Sequence, residues 1–244
     1  MPSIYADLHL HTVLSACAEV EMLPPLIVQR ALQLGLGLIA VTDHNCCANC
    51  AAVWQAAEGT GLRVFPGMEL QTAEEVHMLC LFGTLEQALT WQGIVFDHLP
   101  QLPNREDIFG GQYVVDRNGD YVRTEERRLA ISSDLSLDQA VHRVTALGGL
   151  PIPSHIDRQV NSLLANLGFV PADLRVAALE INGRTDPDDL TARQPEVAKY
   201  PLVRNGDAHR LGDMRRGIVF EAAEASLDAL AQALRHRRHR IVVD

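Results

Sequence analysis

Asp7-Leu8-His9-Leu10-His11-Thr12 is the stretch that decides how this chain is read. Residues two apart on an extended strand point to the same face, so His9 and His11 offer two imidazoles in one direction. Asp207 and His209 repeat that spacing after the apolar Tyr200-Pro201-Leu202-Val203. Thr42-Asp43-His44 follows Gly37-Leu38-Ile39-Ala40-Val41, and Ser154-His155 follows Leu150-Pro151-Ile152-Pro153. Glu69 ends the run Val64 to Met68. His77 lies in the next apolar run, and a hairpin or adjacent strands would bring the two side chains together. Six of the ten histidines lie in these short segments. A single histidine in an apolar strand is more often a hydrogen-bonded core residue than a ligand. An ordered series of such residues at strand ends instead argues for a multinuclear metal site.

Composition sets the frame. A chain of 244 residues can bury the core of one barrel-sized domain, read here as residues 1–244. Hydrophobic residues at 47% and charged residues at 21% leave little room for extended disorder. No uncharged apolar run reaches the ~18 residues of a membrane span. The start lacks a basic segment followed by an apolar signal core, so a cytoplasmic location and no membrane partner are expected. Five cysteines without a secretory signal fit reduced thiols. Cys46-Cys47-Ala48-Asn49-Cys50 lacks the second Cys/His pair of a zinc knuckle and reads as small, partly buried helix residues.

A net charge of −10 disfavours broad attachment to nucleic acid or anionic membranes. The one basic run, Arg235-His236-Arg237-Arg238-His239-Arg240, follows a helix-like segment from Ser226 to Leu234. Cations at a helix C-terminus complement its dipole, which is the expected role of the run.

Short apolar strands alternate with helix-like segments, a pattern for an α/β layer or barrel. Leu26 to Gly35 has helical spacing, and Ser136-Leu137-Asp138-Gln139 is a capping box opening a helix that stops at Gly148-Gly149. The stretch from about 98 to 133 breaks the pattern. Its Arg117-Asn118-Gly119, flanked by Gln112 to Asp116 and Asp120 to Thr124, predicts an inserted β-hairpin acting as a lid or a subunit contact.

Taken together, DLHLHT, VTDHN, GMELQTAEEVH, IPSHIDR and GDAH resemble the PHP (polymerase and histidinol phosphatase) family, from Tyr5 to about Leu211. The likeness is to small stand-alone phosphoesterase-type members. It implies a distorted seven-stranded (β/α) barrel, TIM-like, with a trinuclear metal site at the C-terminal strand ends. By the same resemblance His9, His11, Glu69 and Asp207 hold one divalent ion. A bridging Glu69 with His77 and His155 holds a second, and His44 and His209 a third, with Asp43 as an inner or outer carboxylate. The ions would be zinc, manganese or iron. The chain departs from the family where a further His or Asp often follows the HxH pair. Here stands Ser15-Ala16-Cys17-Ala18-Glu19, and either Cys17 ligates as a thiolate or it packs while Glu19 or water completes the site.

Such ions acidify water and neutralise phosphoryl oxygens, so the expected activity is hydrolysis of a small phosphorylated metabolite or nucleotide by metal-activated water. His209 or Asp43 would assist proton transfer. Arg158 is the first candidate to bind the substrate phosphate and Arg184 the second, because a guanidinium can hold two phosphate oxygens. No GxSxG elbow, phosphate loop or dinucleotide fingerprint competes. The alternatives are an exonuclease-like phosphodiesterase on nucleic-acid ends, a non-catalytic metal-binding regulatory module, and C–N bond hydrolysis at an amidohydrolase-like site.

Overall fold

The computed structural model describes residues 1–242. Its strands, in chain order, are β1 (Ser3–Leu10), β2 (Leu38–Val41), β3 (Arg63–Gln71), β4 (His77–Leu81), β5 (Tyr113–Val115), β6 (Tyr121–Thr124), β7 (Leu150–Pro153), β8 (Leu179–Glu180), β9 (Leu202–Val203), β10 (Ile218–Glu221) and β11 (His239–Ile241). The helices are α1 (Pro24–Gln33), α2 (Cys50–Ala56), α3 (Leu85–His98), α4 (Glu106–Phe109), α5 (Leu137–Ala146), α6 (Leu163–Leu167), α7 (Pro187–Arg193) and α8 (Leu227–Arg235).

Seven strands form one sheet in the order β11-β10-β1-β2-β3-β4-β7. The crossovers through α1 and α2 make β1, β2 and β3 parallel, as a βαβ chain requires. Elsewhere the sheet departs from an all-parallel repeat. β4 returns antiparallel to β3, with Gln71 opposite His77, because only a short polar turn separates them. β7 is antiparallel to β4, and β10 and β11 continue antiparallel from β1. The parallel pair β8–β9 lies between the sheet's two edges. Ala177 N–H donates to Pro151 O beside β7, and the His239 ring on β11 bonds to Leu202 O.

The sheet is buried on both faces, and the two-residue period sorts its side chains. Leu8, Leu38, Ala40, Phe65, Leu79, Ile152 and Phe220 join Ala178 and Val203 in one apolar cluster, capped by Leu230, Ala233 and Leu234 of α8. A curled sheet produces this arrangement, because every strand then turns one face toward a common interior. Leu10, Ile39, Val41, Met68 and Met78 face outward against Ile27, Val53, Trp91 and Val141 of the helices.

Local signals explain the helix ends. Ser136 and Gln139 make the expected reciprocal capping box of α5, which stops before Gly148 in a left-handed conformation (φ 77°). The basic run behaves differently from expectation. Only Arg235 lies in the last turn of α8. Arg237 turns the chain with φ 52°, and His239 to Ile241 form β11 against β10.

The 98–133 segment contains α4 and the hairpin β5–β6 around Asp116–Asp120. Asp116 accepts from the backbone N–H groups of Asn118 and Asp120, and Gly119 takes φ 87°. Tyr113 N–H donates to Val13 O, and Asn45 donates to Leu129 O and Ile131 O. The 98–133 segment is thereby fastened to the loops that follow β1 and β2.

Candidate metal centre

The strand directions gather the predicted side chains at one end of the sheet. His9 lies near the end of β1 and His11 just past it, His44 follows β2, His155 follows β7, and Asp207 and His209 follow β9. His77 instead begins β4, which reaches the same end because β4 runs antiparallel. His155 and Asp207 hold left-handed conformations, with φ of 30° and 46°, at the turns where the chain leaves β7 and β9.

Glu69 is the centre of the cluster. Its Oε1 lies 3.2 Å from His9 Nε2, 3.1 Å from His77 Nδ1 and 3.1 Å from His155 Nε2. Its Oε2 lies 3.1 Å from His44 Nδ1 and 3.4 Å from His11 Nε2. Asp207 Oδ1 adds a second carboxylate oxygen 3.3 Å from His9 Nε2. Three overlapping donor groups result, each with its ligand atoms within 4.8 Å of one another: His9, His11, Glu69 and Asp207; His44, Glu69 and His77; and His11, His44 and His209. The first is the expected quartet. In the second, His44 stands where His155 was expected, although His155 Nε2 still faces Glu69.

This donor set fits divalent cations. His9 Nε2 and His11 Nε2 are 3.2 Å apart, the spacing of neighbouring ligands about an ion with bonds of ~2.0–2.1 Å. The buried Nδ1 atoms of His77 and His155 lack a directed hydrogen bond. Burial by itself would raise the Glu69 carboxyl, but the facing imidazoles of His9 and His77 hold it well below the usual range. Burial and the neighbouring His11 push His44 well down and bring His209 down to about 4. Both rings are therefore neutral, and available as ligands, at neutral pH.

Three buried carboxylates support the cluster without joining a donor group. Glu180 Oε2 accepts from His9 Nδ1 at 2.9 Å and from His155 N–H at 3.0 Å, while Oε1 accepts from Asn205 at 2.7 Å. The sequence reading missed Glu180. Its signal was a lone carboxylate inside the apolar stretch from Val176 to Ile181. Asp7 accepts from the N–H groups of Gly206 and Arg215, tying the loop that carries Asp207 to β1. Asp43 accepts from Thr12 N–H, Thr12 Oγ1 and Ser15 Oγ at 2.7–2.8 Å. Oδ1 accepts two of these bonds and Oδ2 one, which directs the carboxylate toward Thr12 and Ser15.

Cys17 belongs to none of the donor groups and is exposed. Desolvation by the surrounding protein and the field of Glu69 push its thiol up to about 12. Arg158 pairs with Asp207 Oδ2 at 2.8 Å. It lines a cavity of about 270 Å³ together with Arg184, Arg215, Asn182, His155 and Asp207. The cavity thus joins both predicted arginines to the cluster and adds Arg215, which the sequence reading missed. Arg215 Nε is buried without a partner, and its guanidinium packs where a side chain at Gly183 would stand, 3.0 Å from the ideal Cβ position.

Residues 7–140, more than half of the chain, match the family model of the PHP domain. The chain belongs to the PHP domain family. Its members are metal-dependent hydrolases. The chain is 32% identical over 84 residues to the 5′-3′ exoribonuclease Rnm of Escherichia coli (strain K12), a match covering 33% of this chain and 27% of the relative. It therefore aligns with about a quarter of that protein's length. Among solved structures, the lesion-specific endonuclease PfuEndoQ from Pyrococcus furiosus superposes with a TM-score of 0.67 at 18% identity, over 99% of this chain and 58% of that one. A candidate metal-dependent phosphoesterase from Bifidobacterium adolescentis gives 0.58 at 19% identity, over 100% and 98%. At these identities the likeness is one of fold. No helix among the described residues is long and apolar enough to cross a membrane.

Proposed function

We propose that this PHP-family chain is a metal-dependent phosphoesterase, with the Glu69 cluster as its reaction centre. The observation that carries the reading is the adjacency of two features: a carboxylate facing five imidazoles, and an arginine-lined cavity opening beside Asp207. On this reading the curled seven-stranded sheet, with the β8–β9 pair between its edges, is a distorted barrel forming one domain, and the hairpin of 98–133 flanks its mouth. His9, His11, Glu69 and Asp207 hold one ion, Glu69, His77, His155 and His44 a second, and His11, His44 and His209 a third. Zinc, manganese or iron suits the mixture of imidazole and carboxylate donors. Such ions supply Lewis-acid chemistry: acidified water and neutralised charge on phosphoryl oxygens.

The protein's own groups then have separable tasks. Arg158 and Arg215, with Arg184 at the rim, hold the non-reacting phosphate oxygens through charge-assisted hydrogen bonds. Glu180 fixes the ring of His9 through Nδ1, leaving Nε2 directed at Glu69. His209 donates Nδ1–H to Asp207 O at 2.9 Å, which leaves its Nε2 free to ligate or to accept a proton.

Two substrate classes are carried forward. A small phosphomonoester uses the cavity alone. Nucleic-acid ends are favoured by the exoribonuclease relative, and by arginines that could follow a sugar-phosphate chain out of the cavity. The test is phosphate and nucleotide release from sugar phosphates, mononucleotides and short oligonucleotides, by manganese-, zinc- and iron-loaded protein beside H155A. Metal-dependent release that H155A abolishes supports the proposal, and the preferred substrate separates the two classes. No release with any metal from a fully loaded protein sinks it and leaves a metal-binding regulatory module.

A further inference from the structure

A second cationic cavity lies at the other end of the same strands. It measures about 450 Å³ and is lined by Arg175, Lys199, Arg235 and Arg237, with Val176 and Tyr200 among the remaining walls. Gly149 to Pro151 enter β7, Arg175 to Ala177 precede β8, and Lys199 to Pro201 precede β9. The cluster residues His155, Glu180 and Asp207 lie at or beyond the opposite ends of those three strands. The two cavities are therefore separate sites joined by short strands.

Four cations around one concavity repel each other, and this chain carries a net charge of −10. Among the described residues none of the four makes an ion pair, and no carboxylate lines the cavity. Asp173 lines the neighbouring groove, which shares Arg175. The helix dipole accounts only for Arg235, the single one of the four in the last turn of α8. Arg237 is held in place by its left-handed backbone and by a guanidinium bond to Ala198 O at 2.6 Å. The volume falls within the ~300–1,000 Å³ of small-molecule sites. Cationic walls beside Val176, Ala177 and Pro201 suit a ligand with an anionic group and an apolar body.

We propose that this cavity binds a small organic phosphate of the nucleotide class, independently of the metal centre. Arginine supplies planar, bidentate contacts to phosphate oxygens, and lysine a point charge. The apolar wall takes the base or sugar.

The test is calorimetric titration of metal-loaded protein with α,β-methylene-ADP, and in parallel with inorganic phosphate. Wild type is expected to show a binding event that persists in R158A, altered at the metal centre, and disappears in the double variant K199Q/R235Q. The single charge reversal R175E should weaken the same event about tenfold or more, the loss expected for a charged hydrogen bond. Arg175, Lys199 and Arg235 are exposed, and circular dichroism verifies the folding of every variant. Inorganic phosphate is expected to bind more weakly, since it cannot use the apolar wall. Unchanged binding in K199Q/R235Q, or complete loss in R158A, overturns the site. Inorganic phosphate binding as tightly as the nucleotide analogue overturns the ligand class.

Discussion

His9 Nδ1 lies 2.9 Å from Glu180 Oε2, with both side chains buried at the end of their strands. The contact joins β1 to β8, 171 residues apart in sequence. It orients the ring so that Nε2 points at Glu69, 3.2 Å away. Carboxylates placed behind a ligating imidazole commonly set metal affinity. E180Q should therefore lower metal affinity by about 10- to 100-fold while leaving the fold intact. Metal content after dialysis against a weak chelator measures it. Full retention in E180Q would show that Glu180 acts only in packing.

Asp7 gives a pH signature. Burial pushes its carboxyl up to about 6, against hydrogen bonds from Arg215 and Gly206 that pull it down. The native state then binds a proton more tightly than the unfolded chain, whose carboxyl titrates near 3.8. The stabilisation is fully present below that value and is lost as pH rises through about 6, a change of about 3 kcal/mol. Urea unfolding of metal-free wild type and D7N across this window should show wild type losing stability relative to D7N with rising pH. A flat difference would contradict the assignment.

Arg215 should act on substrate and not on metal. If its guanidinium holds a phosphate oxygen, R215Q loses a charge-assisted hydrogen bond of about 1.5–3 kcal/mol. The expected result is a KM raised about 10- to 100-fold with unchanged metal content. A KM close to wild type would remove Arg215 from the phosphate site.

Cys17 should be dispensable for metal binding. Its thiol is exposed and lies outside the donor groups. C17S is expected to keep wild-type metal content and activity, and loss of one equivalent of metal would restore Cys17 as a ligand.

Gly206 is required by close approach. A Cβ there would stand 2.7 Å from Asp7 Oδ2 and 2.8 Å from Asp213 O. G206A should cost about 1–3 kcal/mol, seen as a Tm lowered by roughly 3–10 °C, and should loosen the loop holding Asp207. An unchanged Tm would mean the loop can yield.

The sequence by itself determined the residue types, their order and their strand-end positions. His9, His11, His44, Glu69, His77, His155, Asp207 and His209 were legible because each follows or begins an apolar run, and strand geometry fixes side-chain direction over two residues. The Ser136 capping box and the Asn118-Gly119 hairpin were legible for the same reason, since their physics is local. Tertiary structure alone decided which donors share an ion. His44 joins Glu69 and His77 because β2 lies beside β3, whereas Asp43 is turned away onto Thr12 and Ser15. It also recruited Glu180 and Arg215 and carried the basic run out of α8 into a strand. None of these has a local signature. A buried carboxylate or an unpaired guanidinium acquires its role from groups distant in sequence, and only the curled sheet brings them within hydrogen-bonding reach.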